Sequence, residues 1–138
     1  MKINDATLAA TIYKMKNENA LLIKPDCRIS ELQKEFNLHF PYLKLEFFKH
    51  PHGLHGGNPR KDMVTADLSL RLKSKNPLEL LITEDMKVST LEQLFSEHFG
   101  LSAQVFRKSG RSWLETTMTD DWTLRRQNDE GSELSKIA

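Results

Sequence analysis

Apolar residues are arranged along this chain in two styles, short unbroken runs and longer stretches with apolar positions three or four apart, and the order of the two styles occurs twice. The runs Ala20–Ile23 and Leu78–Ile82 have the length of buried strands. Behind the first, Leu32, Phe36 and Phe40 recur at helical spacing, and behind the second Leu91, Leu94, Phe95 and Phe99 do the same. Two helices of about ten residues are therefore predicted, each resting one apolar face on a sheet. Ser30 and Ser89 stand three residues before Gln33 and Glu92, the spacing of a capping box, and mark the expected helix starts. Pro41 cannot continue the first helix, and Gly100 suits a left-handed cap on the second. Leu43–Lys49 and Ala103–Lys108 then read as strands. Ser109-Gly110 marks a turn into a further strand over Trp113–Thr117, and a Gly/Pro/His loop in the first half precedes a strand expected somewhere in Val64–Leu72.

The two patterns superimpose at an offset of 59 residues. Leu21-Leu22-Ile23 falls on Leu80-Leu81-Ile82, followed by Asp26 on Asp85, Ser30 on Ser89, Leu32 on Leu91, Phe36 on Phe95, His39 on His98, Phe40 on Phe99, Phe47 on Phe106 and Lys49 on Lys108. That makes 11 identities in 29 positions, where ordinary residue frequencies give about two. The expectation is one α+β domain over residues 1–138. It would be a two-layer, ferredoxin-like sandwich of two βαβ-type repeats, about 20–49 and 79–108, with added edge strands. Two separate units of about 55 residues would each be marginal, which favours one shared core. A helix carrying Leu8, Ile12 and Met15 behind a cap at Asn4 or Asp5, a brief helix near Leu124 and a flexible tail over 129–138 complete the reading.

Composition narrows the class. With 138 residues, 38% apolar and 28% charged, the chain can bury a core without staples. No stretch approaches the roughly 18 apolar residues of a membrane span, and the start lacks the apolar segment of a signal peptide, so a cytoplasmic protein without a membrane partner is expected. Cys27 stands alone and can form no internal disulfide. The net charge of +1 is unevenly spread, with +4 between Lys44 and Lys75 and −3 from Glu115 onwards.

Three places invite chemistry. His50, His52 and His55 lie within six residues, and imidazole suits zinc, copper, nickel or iron, but the spacing matches no closed zinc site and the adjoining glycines favour a solvated loop. Arg107, Lys108 and Arg111 surround a hairpin tip beside Trp113, a set able to hold a phosphate or another anionic ligand, nucleic acid included. The strands nevertheless lack the aromatic pair of an RNA-recognition motif. His39 and His98 sit in last helical turns, where a donor satisfies free carbonyls. Asp120-Asp121 reads as a helix entry and Cys27 as a small apolar side chain.

The run from Phe99 to Asn128, with its RKSG, WLETT and DDWTL segments, resembles small uncharacterised bacterial proteins. The resemblance implies a bacterial cytosolic setting and carries no activity onto any residue. With no nucleophile paired to a base, no closed metal set and no phosphate loop, the sequence points to a non-catalytic protein-interaction or assembly module that needs no cofactor. Self-association through a sheet edge or the acidic tail, or a protein partner, is expected, with nucleic-acid or anionic-ligand binding as the alternative and metal binding by His50, His52 and His55 as a lesser one.

Overall fold

The computed structural model describes Leu8 and residues 19–49, 60–70 and 79–136. Over these the order is β1 (Ala20–Ile23), α1 (Ile29–His39), β2 (Leu43–Phe48), β3 (Leu80–Thr83), α2 (Val88–Phe99), β4 (Ser102–Ser109), β5 (Ser112–Glu115) and α3 (Leu124–Lys136). One-turn 3₁₀ segments lie at Arg60–Asp62 and Thr117–Thr119. The class is α+β, with three helices and two antiparallel sheets among the described residues. No helix among them is long and apolar enough to cross a membrane.

α1 and α2 each connect a strand of one sheet to a strand of the other. β1 pairs with β3, Leu22 opposite Leu81, while β2, β4 and β5 form a second sheet in that order. A ferredoxin-like sandwich holds its strands in one sheet, and these pairings do not confirm it. The β2–β4 register also limits the 59-residue offset. Leu43, Leu45 and Phe47 lie opposite Arg107, Val105 and Ala103 on the core face, whereas Phe106 lies opposite Lys44 on the other face. Phe47 is wholly buried and Phe106 only half so. α2 is one residue longer than α1 and is followed by Gly100 at φ 62°, so the two helix-to-strand connections differ in conformation although the strands behind them start at the same offset.

The helices meet over a phenylalanine-rich core. Leu32, Phe36 and Phe40 from the first helical segment and Leu91, Phe95 and Phe99 from the second are all buried in one cluster with Leu43, Leu45, Phe47 and Val105. Phe36 and Phe40 lie 5.2 Å apart between ring centres, Phe95 and Phe99 5.7 Å, and Phe47 meets Phe95 edge-on at 5.2 Å. Such tilted and edge contacts each add about 0.5–1.5 kcal/mol to the burial of the rings.

The helix starts differ from the expected capping boxes. α1 and α2 begin at Ile29 and Val88, behind Arg28 and Lys87, and neither of those side chains caps. The free amides are satisfied from distant chain instead. Ile29 N–H donates to the Leu68 carbonyl (2.9 Å) and Ser30 N–H to Asp67 Oδ1 (3.0 Å). Val88 N–H donates to the Trp122 carbonyl (3.0 Å) and Ser89 N–H to that of Asp120 (2.7 Å). Each clamp is closed in the other direction, from Leu70 N–H to the Cys27 carbonyl and from Leu124 N–H to the Met86 carbonyl. Met63 and Ser69 make only isolated bridges, so no strand runs through 64–70.

α3 reaches Lys136, past the point where the sequence suggests a tail. It lies over β4 and β2 with Gly131 against Tyr42, where an added Cβ would stand 2.8 Å from Tyr42 Cβ.

Candidate functional site

The β4–β5 hairpin holds Arg107, Lys108, Arg111 and Trp113, the anion-binding set that the sequence singles out. Ser109 and Ser112 face each other across a two-residue loop, Gly110-Arg111, with Gly110 at φ 61°, the left-handed backbone such loops require at this position. The register that follows sets Lys108 opposite Trp113, Arg107 opposite Leu114 and Phe106 opposite Glu115.

Alternation then separates the three cations. Arg107 turns to the core side, where Nη1 donates to Gln127 Oε1 at 2.8 Å and the guanidinium lies 5.6 Å from the Trp122 ring. It fastens α3 to β4. Lys108 shares the outer face with Phe106, Trp113 and Lys44, and Lys44 Nζ stands 5.3 and 5.2 Å from the two ring centres. Arg111 is exposed on the loop. Phe106 and Trp113, on neighbouring strands, thus form an aromatic pair on this outer face. The two-residue loop was the signal for it, because it fixes which β4 and β5 residues share a face.

The same register decides where backbone groups point. With Ser109–Ser112 closing the loop as a hydrogen-bonded pair, Leu114 bonds to β4, while Trp113 and Glu115 turn N–H and C=O away from it. Elsewhere the edges of this sheet are filled. On β2, the Leu43 carbonyl accepts from Asn37 Nδ2 (2.8 Å), that of Leu45 from Gln33 Nε2 (3.0 Å) and that of Phe47 from Val64 N–H (2.7 Å). On β4 beyond the end of β5, the Val105 carbonyl accepts from Thr116 N–H and, at 2.8 Å, from Thr116 Oγ1, and Val105 N–H donates to the Glu92 carboxylate. Among the described residues, no backbone group bonds to the outer side of Trp113 or Glu115. Leu114 (45% exposed) and Met118 (81%) lie beside this open edge.

Two other titratable groups have distinct settings. Glu92 is 9% exposed, with Oε2 unpartnered. Burial pushes its carboxyl up to about 8; the Val105 N–H works against the rise, while Asp120 and Glu115 add to it. Burial likewise pushes the Cys27 thiol up to about 11, helped by Glu31, Asp26, Glu35 and Asp67, and a thiol so protonated at neutral pH is a poor nucleophile. His39 Nδ1 meets the Glu35 carbonyl at 2.9 Å, the helix-end role expected of it. His50, His52 and His55 lie outside the described residues. Among the described ones, no three His, Cys, Asp or Glu side chains are grouped to hold a metal ion. An open groove of about 420 Å³ at the start of α3 is lined by Asp85, Arg125, Arg126, Asp129, Glu130 and Glu133. Its arginines are engaged, Arg125 with Glu84 and Asp85 and Arg126 over Trp122 at 3.7 Å.

No protein-family model, curated protein or solved structure matches this chain.

Proposed function

We propose that this chain is a non-catalytic protein-interaction or assembly module and that β5 is its docking strand. One contrast carries the reading: the β2 edge and the uncovered end of β4 are filled by side chains and loop backbone, whereas among the described residues no backbone group bonds to the outer side of β5, beside exposed Leu114 and Met118. An open strand edge recruits another strand through main-chain hydrogen bonds, and neighbouring side chains give the selection. The test is capture of partners by the wild type and by Glu115→Pro. Proline at 115 removes an outward N–H without touching the bonds of Leu114 to β4. The variant should keep its fold and lose the partner. A partner retained by the variant would exclude β5.

The anionic-ligand reading is the second, and the hairpin geometry recentres it. Lys44, Lys108 and Arg111 with Phe106 and Trp113 make a stacking and cationic surface, against which stand Glu46 and Glu115. Binding of single-stranded nucleic acid there would fall steeply with salt and weaken in Trp113→Ala.

We also infer a duplicated unit, supported by the matching clamps. Leu68-Ser69-Leu70 stands to the start of α1 as Trp122-Thr123-Leu124 stands to that of α2, with bridges from Arg28 to Ser69 and from Lys87 to Thr123. The second segments follow at an offset of 54, so the equivalence lies beyond the reach of a single 59-residue shift.

A further inference from the structure

The outer edge of β5 has its own complement, and we propose that it pairs antiparallel with β5 of a second copy of this chain about a two-fold axis at Leu114. This rests on reading β5 as the docking strand and names its partner. The strand presents two outward-bonding residues, Trp113 and Glu115, placed symmetrically about Leu114. An antiparallel pairing centred there sets Trp113 of each copy against Glu115 of the other, and each such pair exchanges two main-chain hydrogen bonds. Leu114 then faces its own counterpart in a non-hydrogen-bonded pair, the arrangement that brings side chains closest. That contact covers an apolar side chain now 45% exposed.

Charge and shape agree with the pairing. The exposed Arg111 of one copy falls two positions along from the residue opposite Glu115 of the other, within the reach of a cross-strand diagonal. Among the described residues α3 lies over β4 and β2, and Leu114 on the same face of β5 keeps its 45% exposure for a second copy. The contact is a four-residue strand, a short interface, so the dimer is a weak one that forms with concentration.

Cross-linking reads the register directly. In a Cys27→Ala background, Leu114→Cys puts two thiols about 4.5 Å apart between Cα atoms across the two-fold, inside disulfide range. Ser112→Cys puts its thiol opposite Thr116 of the other copy instead. Under mild oxidation at roughly 0.5 mM protein, Leu114→Cys should form a covalent dimer at least ten times faster than Ser112→Cys, and sedimentation of the wild type should show a mass that rises with concentration. Equal or absent cross-linking, with a wild-type monomer at the same concentration, overturns the proposal. If the wild type is monomeric there while a partner is captured and lost in Glu115→Pro, the second copy is wrong and the docking strand stands. If no partner is captured either, both fall.

Discussion

Replacing Glu92 by glutamine removes a carboxyl from the place where β5 ends and α2 covers β4. The Glu92 carboxyl is raised from an ordinary 4.5 to about 8 by burial, with Asp120 and Glu115 adding to the effect. A proton held more tightly in the folded state than in the unfolded one stabilises the fold fully below the unfolded pKa, and that stabilisation is lost as pH rises through the folded pKa. Between pH 4.5 and about 8 the wild type should therefore lose stability relative to a variant with no proton to release. At ~1.4 kcal/mol for each pKa unit, the loss approaches about 3 kcal/mol at pH 7 and about 5 above pH 8. Glutamine keeps the size and an oxygen for the Val105 N–H, and Gln33 already stands at the corresponding place on α1, donating to the Leu45 carbonyl and Glu46. Urea unfolding followed by tryptophan fluorescence at pH 5, 7 and 9 measures the difference. The stability of Glu92→Gln relative to wild type should rise by roughly 2 kcal/mol or more from pH 5 to pH 9. A difference that stays constant, or that shrinks as pH rises, would refute a buried protonated carboxyl.

Other changes test the packing and the clamps. Gly131→Ala gains about 1 kcal/mol of helix propensity and meets Tyr42 at 2.8 Å, so overpacking of typically 1–3 kcal/mol should leave it net destabilised by thermal unfolding. Alkylation of Cys27 at pH 8 should run at least tenfold slower than that of free cysteine, because its thiol titrates near 11 rather than about 8.5. Asp67→Ala removes the acceptor of Ser30 N–H and the partner of Arg28, and hydrogen exchange at the start of α1 should quicken. Protection of the same amides, taken relative to their intrinsic exchange rates, should fall in the wild type as pH is lowered through the Asp67 titration, because the Ser30 N–H, with its hydroxyl and Arg28, holds the Asp67 carboxyl below the ordinary carboxylate range.

Local patterns were legible in the sequence and long-range pairings were not. Leu32, Phe36 and Phe40, like Leu91, Phe95 and Phe99, announce buried helix faces because helical period and burial coincide there. Gly100 announces its cap because few other residues accept φ 62°. Ser30 and Ser89 misled, since the helices start one residue earlier and draw their caps from Asp67, Leu68, Asp120 and Trp122, more than 30 residues away in sequence. The cation cluster was legible as composition only: side alternation in β4 sends Arg107 to α3 and leaves Lys108 outside. Sheet membership is set by which strands meet across the core, and no spacing along the chain records it.

Amide exchange resolved along β5 tests the docking strand most directly. In dilute protein, the amides of Ser112 and Leu114 should exchange slowly through their bonds to β4, while those of Trp113 and Glu115 exchange quickly. On association, at high concentration or with a captured partner, Trp113 and Glu115 should become protected together. Protection of both in dilute protein, or continued fast exchange of both in the complex, would contradict the account.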